Sequence, residues 1–116
     1  DLLKFGRVYW AQIDSPKKAL CIVGRHQNDN INLEGLAEKG DIVLKLKEIN
    51  GPTTLIRGIN EKVYKSLEIK APDNIYAIDQ GVSGVDATLK RFSLLTAFYA
   101  VKARGENVIV SIKTID

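Results

Sequence analysis

The segment "RHQNDN", residues 25 to 30, places a guanidinium, an imidazole, a carboxylate and three side-chain amides next to one another. Such mixed donors and acceptors suit a hydroxyl-rich ligand, so Arg25, His26, Asn28, Asp29 and Asn30 are candidate binding residues. Trp10 and Tyr76 are the aromatic side chains able to face a sugar ring beside them. His26 and Asp29 also have the composition of half an acid–base pair. General acid–base work, however, needs a partner held at hydrogen-bond distance in a pocket, and no spacing in the chain supplies one. A second candidate surface comes from "KLKEINGPTTLIR", where Lys45, Lys47 and Arg57 are expected to face each other across a hairpin. With Tyr9, Trp10 and Tyr76 it has the cations and rings that single-strand binders use for phosphates and bases. The same lysines would equally serve to keep a solvated sheet face from aggregating.

Other chemistries lack their parts. One cysteine, Cys21, and one histidine, His26, cannot assemble a zinc cluster from soft ligands, and Cys21 in "KALCIVG" reads as a small buried hydrophobe. "GLAEKG" has two glycines at a suggestive spacing but lacks the Gly-Lys-Ser/Thr ending of a phosphate loop. Asp14, Glu48, Glu68 and Asp79 fall at strand ends, where capping and turn roles are the default. No catalytic residue, cofactor or metal ligand is expected, and the function class is non-enzymatic binding.

A chain of 116 residues with a net charge of +3 is expected to form a single domain, residues 1–116, with a core large enough to fold without disulfide or metal. The mild basicity permits nucleic acid, an anionic glycan or a membrane surface as partner, and no apolar stretch is long enough to span a bilayer. A start at Asp1 and the absence of methionine are what a processed form or an excised domain would show.

The elements that must position these residues are mostly strands. "RVYWAQID" and "KALCIVG" are rich in β-branched and aromatic residues and flank "SPK", which predicts an antiparallel hairpin. "RHQNDNIN" reads as the longest loop, because Asn and Asp bond their own backbone, and "LEGLAEK" adds a helical turn. "DIVLKLKEINGPTTLIRG" alternates apolar and charged residues up to Asn50-Gly51, which predicts a second hairpin with a loop longer than two residues. "INEKVYKS" reads as a short helix or turn, and "LEIKAPDNIYAID" as two extended pieces broken at Pro72 and Asp73. Ser83 followed by Asp86 resembles a helix start. The helix is expected over 85–103, with Val85, Leu89, Phe92, Leu95 and Tyr99 on one side, Lys102 and Arg104 at its negative end and Gly105 as cap. Leu94, Phe98 and Val101 widen its apolar stripe beyond what one sheet would cover, which predicts a homo-oligomer joined through the 85–104 helix. "NVIVSIK" closes the chain as a strand. The fold class is α+β, mostly antiparallel β: a small barrel of the oligonucleotide/oligosaccharide-binding kind or a curled sheet, with one long helix in the C-terminal half and a final strand.

The tail "IYAIDQGVSGVDATLKRFSLLTAFYAVKARGENVIVSIK" and the front "GRVYWAQIDSPKKALCIVG" resemble the receptor-binding B subunits of pentameric bacterial toxins, especially the subtilase-cytotoxin-like group. The resemblance implies a secreted or periplasmic five-membered ring, its pore lined by the long helices. A host-receptor glycan would bind a loop face, and an enzymatic subunit would dock on the pore. The family's intrachain disulfide is impossible here, the segment from Arg25 to Lys70 is longer than that group's, and no sugar-contacting position matches. The first expectation is therefore an oligomeric glycan- or receptor-binding module of a toxin-like assembly. The alternatives are a single-stranded nucleic-acid-binding barrel using Lys45, Lys47 and Arg57, or a protein inhibitor or immunity-type interaction domain, for either of which a cytoplasmic setting is open.

Overall fold

The apolar run after Gly84 becomes α2, Val85–Tyr99, and it organises the rest of the chain. Leu89, Phe92 and Leu95 recur at helical spacing and are fully buried, so this face must lie on a sheet. The computed structural model, which describes residues 1–116, provides that sheet as six antiparallel strands: β1 (Arg7–Gln12), β2 (Lys18–Val23), β3 (Ile42–Leu46), β4 (Thr54–Arg57), β5 (Tyr64–Lys70) and β6 (Asn107–Thr114). Their spatial order is β1-β2-β4-β3-β6-β5. The sheet curls around α2 without closing, so it is the curled-sheet form of the expected α+β fold and not a barrel; β1 and β5 remain as edges. No helix is long and apolar enough to cross a membrane.

Strand alternation gives the two faces different work. Cys21, Val23, Ile42, Leu44, Ile56, Val110 and Ile112 point to α2 and form the main core with it. Burial pushes the Cys21 thiol well above its ordinary pKa, which suits its reading as a small hydrophobe. A buried hydroxyl pair, Thr54 with Thr96 at 2.7 Å, ties β4 to the helix, and Thr96 also donates to the Phe92 carbonyl. Arg91 is buried as well and donates to the carbonyl of Trp10 on β1.

The opposite face carries a second, smaller helix, α1 (Gln27–Leu36), in the segment expected to be a loop. Its start is set by His26, whose Nδ1 accepts the N–H of Asp29. It is anchored by Leu33, which packs on Ile22 of β2 and Leu55 of β4. Leu33 is its one fully buried apolar side chain, so the periodicity that signals a helix is almost absent.

Several boundaries differ from expectation. α2 is capped at Gly84 rather than Ser83, and it stops at Tyr99, followed by a 3-10 turn at Val101–Ala103. Lys102 therefore leaves the helix. Arg104 keeps the expected role, donating to the Phe98 carbonyl while its guanidinium lies 4.1 Å from the Phe98 ring centroid. Phe98 and Leu94 are half-buried against the core of the same chain, so of the apolar surplus that suggested a second subunit only Val101 is left exposed, and nothing in the structure shows a second copy covering it. "INEKVYKS" leads into β5 at Tyr64, and Ile75–Ala77 is a 3-10 turn, not a strand.

Because Leu33 is the one apolar side chain α1 buries fully, Leu33→Ala is expected to lower the unfolding free energy by about 3 kcal/mol. Urea denaturation should show a lower midpoint at unchanged slope.

Candidate functional site

Where β2 ends, Gly24 must pass under α1. Its N–H donates to the Thr53 carbonyl at 2.9 Å, and a Cβ on Gly24 would collide with Oδ1 of Asn30. That oxygen accepts the Thr53 N–H at 2.9 Å. Asn30 thus clips α1 to the β3–β4 loop by replacing a backbone partner that the loop lacks. Gly51 in the same loop faces the end of α2, where a Cβ would stand 2.9 Å from the Cβ of Ala100.

These contacts leave a broad depression of about 930 Å³ walled by the N-terminal half of α1, the β3–β4 loop and the residues just after α2. Arg25, His26, Gln27 and Asn30 line one wall, Lys45 and residues 48–53 the second, and Tyr99 and Lys102 the third. Ile31 and Val101, both exposed, stand at its rims.

Most charge in it is internally paired. Asp29, buried beneath the helix start, accepts from the Arg25 Nε at 2.8 Å and from the Arg25 N–H at 3.0 Å. The guanidinium beside Asp29 holds its carboxyl below the ordinary aspartate pKa. Arg25 also donates to the Lys4 carbonyl. Lys45 Nζ meets Glu34 at 2.9 Å, and the other Glu34 oxygen accepts from the Thr53 hydroxyl. Lys102 is exposed and forms no ion pair, while Gln27 and Asn50 add uncommitted side-chain amides. Tyr99 is a wall rather than a stacking platform: its hydroxyl bonds that of Tyr9, and the Arg7 guanidinium sits 3.9 Å from its ring centroid. Burial and the Tyr99 bond raise the Tyr9 hydroxyl far above the usual phenol range.

The depression therefore unites Arg25, His26 and Asn30 from one expected set with Lys45 from the other. Asn28 lies on the exposed side of α1 outside it, and Asp29 acts from below. Trp10 stands on edge strand β1 and Tyr76 on the Ile75–Ala77 turn, so neither joins it, and Tyr9 is turned inward. Lys45 and Arg57 do not face each other. The register pairs Val43 with Leu55 and Leu44 with Thr54, which puts Lys45 at the loop end and Arg57 at the far end. There Arg57 forms a two-pronged ion pair with buried Asp41, at 2.9 and 2.7 Å, which raises its pKa and commits it to the fold. Lys47 is exposed just beyond β3. Lys102 and the 48–53 loop were missed as site residues because a helix through 103 would have carried Lys102 away, and nothing local in the loop signals a wall.

Residues 12–71 match the family model of the NFACT protein RNA binding domain. No curated protein and no solved structure matches the chain. The family match overturns the resemblance to toxin B subunits and, with it, the carbohydrate-binding reading. What suggested that resemblance was largely a succession of strand, loop, apolar helix and strand, which any sheet packed on one helix produces. The match instead covers β2, α1, β3, β4 and β5, so every wall of the depression except the end of α2 lies within it.

Asp29 supplies a pH test. With its folded pKa depressed, its stabilising contribution is present above the unfolded aspartate value of about 3.9 and is lost as pH falls through the folded value. Thermal melts from pH 6 down to pH 2 are expected to show a steeper acid loss of Tm in the wild-type protein than in Asp29→Asn.

Proposed function

Because the chain belongs to the NFACT protein RNA binding domain family, we propose that it binds RNA, with the depression between α1, the β3–β4 loop and the end of α2 as the contact site. The observation that carries this reading is the coincidence of the matched segment with those walls. The chemistry of the site agrees with it. Side-chain amides and backbone groups suit base edges and ribose hydroxyls, the rim residues Ile31 and Val101 offer apolar surface to ring faces, and Lys102 reaches for phosphate. Binding rather than catalysis is favoured because Asp29 is engaged by Arg25, Glu34 by Lys45 and His26 Nδ1 by the helix cap, while Glu48, the one unpaired carboxylate on the wall, is exposed to solvent with no base or nucleophile beside it.

Fluorescence anisotropy with labelled RNA tests the reading. Affinity should fall as salt rises, and Lys102→Ala should weaken binding across sequences and reduce the log–log salt slope by about 0.7. Lys102→Glu should weaken binding about tenfold with an unchanged melting temperature, since Lys102 makes no ion pair in the fold. Absence of binding to any RNA at about 50 mM salt would end the reading.

A further inference from the structure

The depression holds three cations, Arg25, Lys45 and Lys102, of which two are already tied to Asp29 and Glu34. A polyanion laid across it needs further positive charge nearby. The sheet face that carries α1 has such a surface. α1 covers β2 and β4 through Leu33, but no helix lies over the same face of β3, β6 and β5. Alternation brings Lys45, Lys113 and Tyr64 out on that side: the register sets Lys45 opposite Ser111, Ser111 opposite Ser66, and Lys113 opposite Tyr64. Tyr64 is 81% exposed although it lies within a strand, and the Lys113 ammonium is 5.9 Å from its ring centroid. Lys70 shares this side of β5 and Lys47 continues the same side of β3. Neither these two nor Lys113 forms an ion pair; Glu68 stands between them on β5, and Asp116, paired with Lys62, lies near enough to Lys113 to feel its charge.

We propose that this uncovered half of the sheet is a second RNA-contacting surface, continuous with the depression through Lys45, which takes unpaired nucleotides with a base on the Tyr64 ring and phosphates on Lys113, Lys70 and Lys47. Two strand spacings and one two-residue step separate Lys45 from Tyr64, about 12 Å, a distance a short single strand bridges. An unpaired strand is specified because a base already stacked in a duplex has no free face to offer the ring. The inference rests on the RNA-binding reading of the depression.

The experiment compares an unpaired oligouridine of about 20 nucleotides, long enough for both surfaces, with a duplex RNA of equal length, by anisotropy. Tyr64→Ala should weaken the single strand about tenfold and leave the duplex unchanged, and Tyr64→Phe should restore wild-type affinity. Lys113→Glu should weaken the single strand and flatten its salt dependence, with unchanged thermal melts for all variants. If Tyr64→Ala and Lys113→Glu bind like wild type while Lys102→Glu is impaired, the sheet-face proposal falls and the depression stands. If Lys102→Glu alone is harmless, the depression and the continuity both fall. Equal displacement of the strand from wild type and Tyr64→Ala by polyglutamate at matched charge would mark the face as a surface for acidic protein and overturn base stacking.

Discussion

Three residues, two of them in one turn of chain and the third 23 residues on, meet at a point where a single added carbon would not fit. Gly24, Asn30 and Thr53 lock the exit of β2, the first turn of α1 and the entry to β4 through two hydrogen bonds of 2.9 Å. The loop arriving at Thr53 has no strand partner for its N–H, and a buried orphan donor costs on the order of 1–3 kcal/mol. Asn30 removes that cost, but its amide must occupy the space that a side chain at 24 would fill. Once the clip is made, α1 cannot slide along the sheet. Glu34, one turn further on, then lands within reach of both Lys45 and Thr53. The depression is the space left over when helix, loop and α2 end are fixed in this way.

The two faces of the sheet are unequally covered. α2 lays a continuous apolar stripe on one face and supplies most of the core. α1 has one fully buried apolar residue, Leu33, and shields only the strands beneath it. Every strand on the α1 side beyond β4 must therefore alternate toward solvent, as Lys45, Ser66, Glu68, Lys70 and Lys113 do. A large exposed ring among them, Tyr64, gains little from folding and leaves its face open to solvent.

The strands were legible because their signal is local. Period-two alternation in "DIVLKLK" and "NVIVSIK", and the proline turn between β1 and β2, survive any tertiary arrangement. α1 was not legible, because its stability comes from outside its own sequence. Asn28, Asp29, Asn30 and Asn32 are turn formers by propensity, yet Asn30 is used by Thr53, Asp29 by Arg25, and Asn32 back-bonds to the Asn28 carbonyl. Tertiary partners have outweighed intrinsic preference. The end of α2 failed for a related reason: Ala100 packs against Gly51 of the β3–β4 loop, and the chain turns there although "AVKAR" has good helix formers. The site residues were half legible. Their types stood out at 25–30 and at Lys45, but their union depends on a 75-residue separation between Gly24 and Tyr99 at the α2 end that no local pattern encodes.

The same accounting decides which charges are free to act. A net charge of +3 says little by itself, because the pairs are distributed by depth. The two buried carboxylates, Asp29 and Asp41, each take a guanidinium, Arg25 and Arg57, since an unpaired carboxylate in the interior would be costly. Arginine is consumed there because its planar fork satisfies two oxygens at once. At the depression and on the open sheet, the cations left without a carboxylate are lysines: Lys102 at the depression and Lys47, Lys70 and Lys113 on the sheet. Lysine contacts phosphate as a flexible point charge and carries no base information. Under the proposed reading, discrimination between RNA sequences would come from the amides and backbone groups of the depression, while the lysines would set overall affinity and its dependence on salt.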